Sequence, residues 1–399
     1  MNKNFTPLTF LVILLFVACL TGVTSDIYTP SFREMVHDLN APMDQVQWSM
    51  AIFMLGVSLS QLVYGPVSEG VGRRSPLLIG LGIMLMGSII CLCATSITVL
   101  LIGRFVQGSG AGACACLWRS IFRDSFDSTQ MAKYGAYLGI SMTFAVPAAP
   151  ALGGYLQEFF GWRASFFFLI LYSLTTVGLV FFFLKETSEH HHKDRLNVRF
   201  FKHACGQLLS SPTFMGYTLC TFLTYGAFFS WFVVGPVLLI ENIGLTPVEF
   251  GWVNLFLGGI SMTLAGIFNG RLVGRFGKHW MLRLGWGLMF LSGGLMLLLN
   301  VLCGLTLFSL VVPIFLFFFG VTLIWPSAFA GAFAPFGKIA GYAGALYSFM
   351  QIGGGAIVGW LSSFLPTTGQ IPLAILFLLT AATSWIIFER IVVRDVHSH

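Results

Sequence analysis

Charge is what this chain has least of. Asp, Glu, Lys and Arg make up 9% of its 399 residues, against about 25% in a soluble domain. That scarcity excludes a body that keeps itself dissolved in water. Apolar stretches run from one end of the chain to the other, which excludes a single anchor on a soluble domain. Also missing are Gly-x-x-x-x-Gly-Lys-Ser/Thr, His-Glu-x-x-His and Gly-x-Ser-x-Gly. Those patterns cradle phosphates, hold a catalytic zinc or expose a nucleophilic serine. No enzyme chemistry, no ATP use and no cofactor are expected. The cysteines offer no metal set: Cys19, Cys91, Cys93, Cys114, Cys116, Cys220 and Cys303 fall in apolar stretches, and Cys205 lies in a polar loop. Residues two apart on a helix do not face each other, so the Cys-x-Cys pairs read as buried small hydrophobes. Phe-Val-Ala-Cys at 16–19 looks like a lipoprotein box, but the apolar run continues past it and no processing is expected.

What is present is a polytopic membrane protein. A membrane helix needs about 20 apolar residues, and such stretches occur at 8–33, 46–66, 76–96, 98–121, 133–156, 163–184, 213–240, 249–271, 280–302, 305–328, 340–364 and 370–389. The net charge of +6 is not a nucleic-acid signal, because its distribution is one-sided. With Met1 inside, the inner turns hold Arg73, Arg74, Arg123, Lys133, Lys193, Arg195, Arg199, Lys202, Arg271, Arg275, Lys278 and Lys338, and the outer turns essentially Arg33 and Arg163. By the positive-inside rule both termini are cytoplasmic. The longest polar insertion, 185–212, lies near mid-chain and carries His190, His191 and His192, read as an exposed linker. It separates an N-terminal half, 1–184, from a C-terminal half, 213–399. A shift of 205 residues lays Gly65 on Gly270, Gly72 on Gly277, Gly80 on Gly285, Gly82 on Gly287 and Arg73 on Lys278. Two parallel six-helix halves with a substrate path between them are one large transporter architecture.

The motifs carry a resemblance. Tyr-Gly-Pro-Val-Ser-Glu-Gly-Val-Gly-Arg-Arg-Ser-Pro-Leu at 64–77 resembles the loop signature of the major facilitator superfamily. Gly65, Gly72, Arg73 and Arg74 match it; Glu69 stands where the family usually has Asp, and Gly70 where it usually has a basic residue. Glu69 lies near the start of span three, where a carboxylate can face helix N-terminal dipoles. Leu-Ile-Gly-Arg-Phe-Val-Gln-Gly-Ser-Gly-Ala-Gly at 101–112 resembles the fourth-span motif of proton-linked members. Pro147, Pro150, Gly153 and Gly154 resemble the Pro/Gly motif of the antiporter branch. A narrower set, including Asp-Ile-Tyr-Thr-Pro-Ser-Phe at 26–32, Arg-Ser-Ile-Phe-Arg-Asp at 119–124, Gly-Trp-Arg at 161–163 and Gly-Leu-Thr-Pro-Val-Glu-Phe-Gly at 244–251, is similar to the Bcr/CflA group of drug/proton antiporters. The resemblance implies a twelve-helix fold in a bacterial-type inner membrane and export of small, often lipophilic molecules driven by proton entry. It also implies a gate at Gly65, Glu69, Gly72, Arg73 and Arg74, with Pro147 and Pro150 at a second hinge.

Two charges stand inside the apolar stretches, Asp26 and Arg104. An ionised side chain there costs several kcal/mol unless it is paired or faces water. Asp26 lies about five residues before the outer end of span one and Arg104 a similar distance into span four, so they meet at comparable depth. They are expected to form the proton-coupling pair, with Arg119 a headgroup anchor. The C-terminal half offers aromatics and amides instead. Asp26, Tyr28, Met142, Tyr225, Trp231, Asn254, Tyr347 and Gln351 are the expected cavity residues, joined by Phe228, Phe229 and Trp325. Such a cavity suits lipophilic or amphipathic cargo. One dedicated metabolite or siderophore-like cargo, or a non-transporting sensor on the same fold, remain alternatives. The expected partners are the substrate, protons and the bilayer, and a monomer is expected.

Overall fold

In a computed structural model of the protein, which describes residues 7–188, 198–336 and 339–394, the chain is a bundle of helices without strands among the described residues. Among the described residues, ten stretches are long and apolar enough to cross a membrane. One of them, Pro247–Cys303, reverses at Gly277 and supplies two spans. Helix α15 (Ala340–Ser362) completes the twelve expected rods. The outside is apolar, with Phe160 76% and Val301 82% exposed, as a surface facing lipid tails must be.

Span one is α1 (Pro7–Asp26), a one-turn 3₁₀ segment (Thr29–Ser31) and the short α2 (Phe32–Asp38). The sequence reading ran one helix to residue 33; the break at Asp26 comes from Pro30. Proline has no N–H for the Asp26 carbonyl, and the Thr29 hydroxyl takes that carbonyl instead at 2.8 Å. Spans two to four are α3 (Met43–Val71), α4 (Arg74–Leu92) and α5 (Ile97–Ser125). Small residues let these backbones touch. A Cβ on Gly56 would lie 2.6 Å from the Phe105 carbonyl, and one on Gly80 would lie 2.9 Å from that of Gly110, so larger side chains have no room. Span five is broken at 146–148 into α6 (Ser128–Ala145) and α7 (Ala149–Phe160), and α8 (Arg163–Phe183) is span six.

Inside the 185–212 insertion lies α9 (Val198–Leu209). The triplet His190–His192, together with Lys193, Arg195 and Lys338, lies outside the described residues. The second half comprises α10 (Pro212–Pro236), α11 (Pro247–Leu255), α12 (Met262–Phe276), α13 (Lys278–Cys303), α14 (Leu307–Phe333), α15 and α16 (Ile371–Ile387). The repeat is visible in the backbone: Gly72 (φ +105°) and Gly277 (φ +80°) end equivalent helices in conformations that side chains disfavour. Gly285 also repeats the contact of Gly80, its Cβ position lying 2.7 Å from the Gly320 carbonyl.

Candidate functional site

A cavity of about 670 Å³ lies between the halves, lined by α1, α3, α5, α6, α10, α14 and α15 and by the α11–α12 span. Among the described residues, its two charged lining side chains are Asp26 and Arg119. Asp26 is 4% exposed and accepts a hydrogen bond from the neighbouring Ser25 hydroxyl. Because the helix ends at Asp26, this carboxyl sits at a backbone joint rather than in the middle of a rod.

Arg104 is the second expected member of the pair, and the structure gives it different partners. It is 0% exposed. Its Nη1 donates to the Thr24 carbonyl at 3.2 Å and to Gln107 Oε1 at 2.5 Å, and its Nε donates to the Ser49 carbonyl at 3.4 Å. The guanidinium is stacked between the rings of Tyr28, at 4.4 Å, and Phe53, at 4.2 Å. Cation–π contact of a desolvated charge contributes about 2 kcal/mol per ring. Among the described residues no ion pair joins Arg104 to Asp26. The cation binds α1, α3 and α5 together through carbonyls, and reaches Asp26 only through the electric field.

The second half supplies a wall of rings. Phe228 lies within 5.0 Å of Phe318, 5.1 Å of Trp325, 5.2 Å of Phe232 and 5.6 Å of Phe229, centroid to centroid, and Tyr225 lies 5.3 Å from Trp325. Of the expected cavity residues, Asp26, Met142, Tyr225, Asn254, Tyr347 and Gln351 line it. Tyr28 and Trp231 do not. Tyr28 is sealed under Arg104, with its hydroxyl 2.8 Å from Ser49 Oγ, and Trp231 is sealed by its indole N–H bond to Asn254 Oδ1 at 2.9 Å. Arg119, read as a headgroup anchor, lies instead on the cavity wall.

Two seams join the halves. The α3–α15 seam runs the full depth of the bundle. Trp48 Nε1 donates to Ser363 Oγ at 3.0 Å near one end, and Ser58 Oγ donates to the Phe349 carbonyl at 2.7 Å in the middle. Gly65 meets Ala345, and Glu69 meets Gly341, toward the end that carries the linker. The α7–α11 seam is confined to the opposite end, where Gly154 abuts the Pro247 carbonyl and Gly251 has the Pro150 carbonyl 2.7 Å from its Cβ position. Pro147 is packed 2.5 Å from the Cβ position of Gly258. Gln47 Nε2 closes the same end by donating to the Val233 carbonyl at 2.7 Å.

The 64–77 loop divides its labour in a way the sequence reading did not foresee. Glu69 faces the start of α15, not the start of span three. The start of α4 is capped by Glu186, which accepts from the backbone N–H of Arg73 at 2.7 Å and of Arg74 at 3.1 Å. Partial burial pushes the Glu186 carboxyl up, but backbone N–H bonds from Arg73, Ser188, Arg74 and Thr187 outweigh it and hold the group below the usual carboxylate range. Arg73 donates to Asp124 at 3.1 Å and to Ser68 Oγ at 2.6 Å, and Arg74 donates to the Phe181 carbonyl at 2.6 Å. Both arginines therefore brace the first half internally. At the far end, Trp162 and Arg163 of the Gly-Trp-Arg segment donate to Asp38 at 2.9 and 2.8 Å. Among the described residues no group of three or more His, Cys, Asp or Glu side chains is placed to hold a metal.

A broken-helix bundle of two six-span halves around a central cavity defines a class of membrane transporter. The sequence model of the Major Facilitator Superfamily matches residues 14–358, and the chain belongs to that family. It is a transporter and a multi-pass membrane protein. It is 30% identical over 95% of its length, and 93% of the relative's, to multidrug resistance protein D of Escherichia coli (strain K12). It is 29% identical, over 90% of both chains, to a bicyclomycin resistance protein homolog of Haemophilus influenzae. It is 30% identical over 93% of its length to an uncharacterized MFS-type transporter, YdgK, of Bacillus subtilis, covering 92% of that protein. The crystal structure of a D-xylose–proton symporter superposes with a TM-score of 0.73 over 95% of this chain and 97% of that one, at 14% identity, which shows the shared fold.

Proposed function

We propose that this protein is an antiporter that exports small lipophilic or amphipathic molecules in exchange for protons. The supporting observation is that the described cavity between the halves has one carboxylate, Asp26, set at a helix joint and facing a wall of aromatic rings. Resistance to a drug is what several relatives are named for, which supports an outward direction. Halves 1–184 and 213–399 rock about the cavity, joined by the 185–212 linker. The linker and both termini lie in the cytoplasm of a bacterial inner membrane, and the chain works as a monomer. The seams then describe a state closed toward the outside by α7–α11 and open toward the cytoplasm, where Arg119 and Phe329 are exposed.

Exchange follows from competition. A proton on Asp26 removes the charge that a cationic group of the cargo would meet, and bound cargo excludes water and the proton from the carboxyl. Arg104 holds the three helices around Asp26 and biases its charge state by field. Tyr225, Met142, Asn254, Tyr347 and Gln351 shape the rest of the binding surface. Gly65 and Glu69 cross the α3–α15 seam, Gly72, Arg73 and Arg74 hold the loop that carries them, and Pro147 and Pro150 seat the outer seam. The test is flux in proteoliposomes with an imposed pH gradient, using ethidium as a fluorescent lipophilic cation. The expected result is accumulation against its gradient that stops when a protonophore collapses the pH difference. Accumulation indifferent to the protonophore, or no flux at all, would overturn the reading.

A further inference from the structure

Resting on the exporter reading, we infer that Arg119 anchors an anionic group of the cargo, so that amphipathic carboxylates belong to the substrate class. Arg119 and Arg104 share α5 and differ in what is left of their hydrogen-bonding capacity. Arg104 is enclosed, with Nε and Nη1 committed to Thr24, Ser49 and Gln107; its Nη2 is unpartnered but sealed away from the cavity lining. Arg119 is open to the cavity, and among the described residues no ion pair holds it. The nearby Asp124 pairs with Arg73 at 3.1 Å and Arg123 at 3.5 Å. The Arg119 guanidinium lies over the ring of Trp118, 4.9 Å from its centroid. A planar fork of N–H donors facing an apolar space is the group that binds a carboxylate in bidentate fashion.

A second, independent observation points the same way. Gln61, 1% exposed, lines the same cavity with its Nε2 lacking a hydrogen-bond partner, and the indole N–H of Trp325 on the opposite wall lacks one too. Buried donors are ordinarily satisfied, and an acceptor-rich group in the cavity would meet them. The charge of Arg119 also reaches Tyr225 and Tyr347, so donors from both halves surround one region. Asp26, the other lining charge, is nearer the closed end. The two charges make a dipolar cavity with an aromatic wall between them, which fits a molecule with an aromatic body and an oxyanion directed toward the linker end.

Binding of three matched probes to the full chain in nanodiscs tests this: 1-naphthylacetate, 1-naphthylacetamide and 2-(1-naphthyl)ethylamine, each radiolabelled. The carboxylate should bind about tenfold tighter than the neutral amide, the gain expected of a charge-assisted hydrogen bond. Arg119→Gln should erase that preference and leave amide affinity within about twofold, and Arg119→Lys should retain part of it. Gln61→Leu should cut carboxylate affinity about threefold and keeps the test decisive if Arg119→Gln does not fold. A wild-type protein that binds the carboxylate no tighter than the amide would overturn the inference, as would an intact preference in Arg119→Gln or Gln61→Leu. Ethidium flux under the pH gradient, measured on the same wild-type preparation, reports on the exporter reading separately.

Discussion

Spans one and seven hold equivalent places in the two halves, and the 205-residue shift that aligns their glycine turns lays Asp26 on Trp231. The two residues have opposite fates. Asp26 stands at a broken helix end and faces the cavity, whereas Trp231 turns away and is locked to Asn254. The division extends beyond this pair. The first half brings both lining charges, on α1 and α5, and the second brings the ring cluster of Tyr225, Phe228, Phe229, Phe232, Phe318 and Trp325. Under the proposed exchange, a duplicated scaffold separates two tasks: one half carries charge that can respond to protons, and the other offers a surface that recognises shape. Rings tolerate many apolar partners because dispersion and burial are not directional, whereas a carboxylate has two charge states and can act as a switch.

The sharpest way to break the comparison is to remove the cation that organises the charged half. Arg104→Ala should leave the Thr24 and Ser49 carbonyls and Gln107 without their donor and empty the space between Tyr28 and Phe53. A loss of roughly 3 kcal/mol or more is expected, read as a large fall in Tm in detergent. In the second half, Trp231→Phe, at the position the shift lays on Asp26, removes one hydrogen bond and should cost only about 1 kcal/mol. Equal effects would erase the distinction between the halves.

Next in size is the outer seam. Gly154→Leu puts a side chain where the Pro247 carbonyl sits, while Gly178→Leu enters open space. The first should cut turnover at least about tenfold by opposing α7–α11 closure, since overpacking costs about 1–3 kcal/mol; the second should be silent. Cysteine accessibility at that end would rise in the first variant alone. A silent Gly154→Leu would remove this seam from the transport cycle.

A smaller, graded effect is expected in the recognition half. Phe228→Ala removes the ring at the centre of the cluster and should raise KM for aromatic cargo about three- to tenfold, given about 0.5–1.5 kcal/mol per aromatic pair. Proton dependence should be unchanged. Loss of coupling in this variant would place switching chemistry in both halves.

The smallest effect concerns Glu186, whose carboxyl is held below its usual range by backbone donors. Such a group contributes stability above its unfolded pKa and loses it as pH falls through the lower folded value. Glu186→Gln should therefore lower Tm by about 1–2 °C at pH 7, the shift for about 1 kcal/mol in a chain of this length, and the gap to wild type should close in acid. A gap that persists at pH 3 would mean that Glu186 acts by packing.

The spans were legible because apolar runs of membrane length leave few alternatives, and Asp26 and Arg104 because charge is so rare within them. Which way a side chain turns was not legible. In a soluble helix polar and apolar faces alternate, but here lipid-facing and cavity-facing sides are both apolar, so nothing in the spacing separates Tyr225, which lines the cavity, from Trp231, which does not. Arg119 was read as a headgroup anchor because position along a span gives depth but not which way the residue faces, and here it faces the cavity. The contacts of Arg104 were not legible because carbonyls, an amide and flanking rings carry no signal in the sequence that marks them as an arginine's partners. Glu69 was assigned to the wrong helix start for a related reason: only the packing of α15 against α3 brings it to Gly341, while Glu186, from beyond span six, takes the start of α4.

The central claim, that the charged half couples transport to protons through Asp26, is tested most directly by Asp26→Asn in proteoliposomes. The amide keeps the shape of a protonated carboxyl and removes its titration. Downhill movement of ethidium should persist at a reduced rate, while accumulation driven by an imposed pH gradient should fall to background. Uphill accumulation by Asp26→Asn at the wild-type rate would contradict the account.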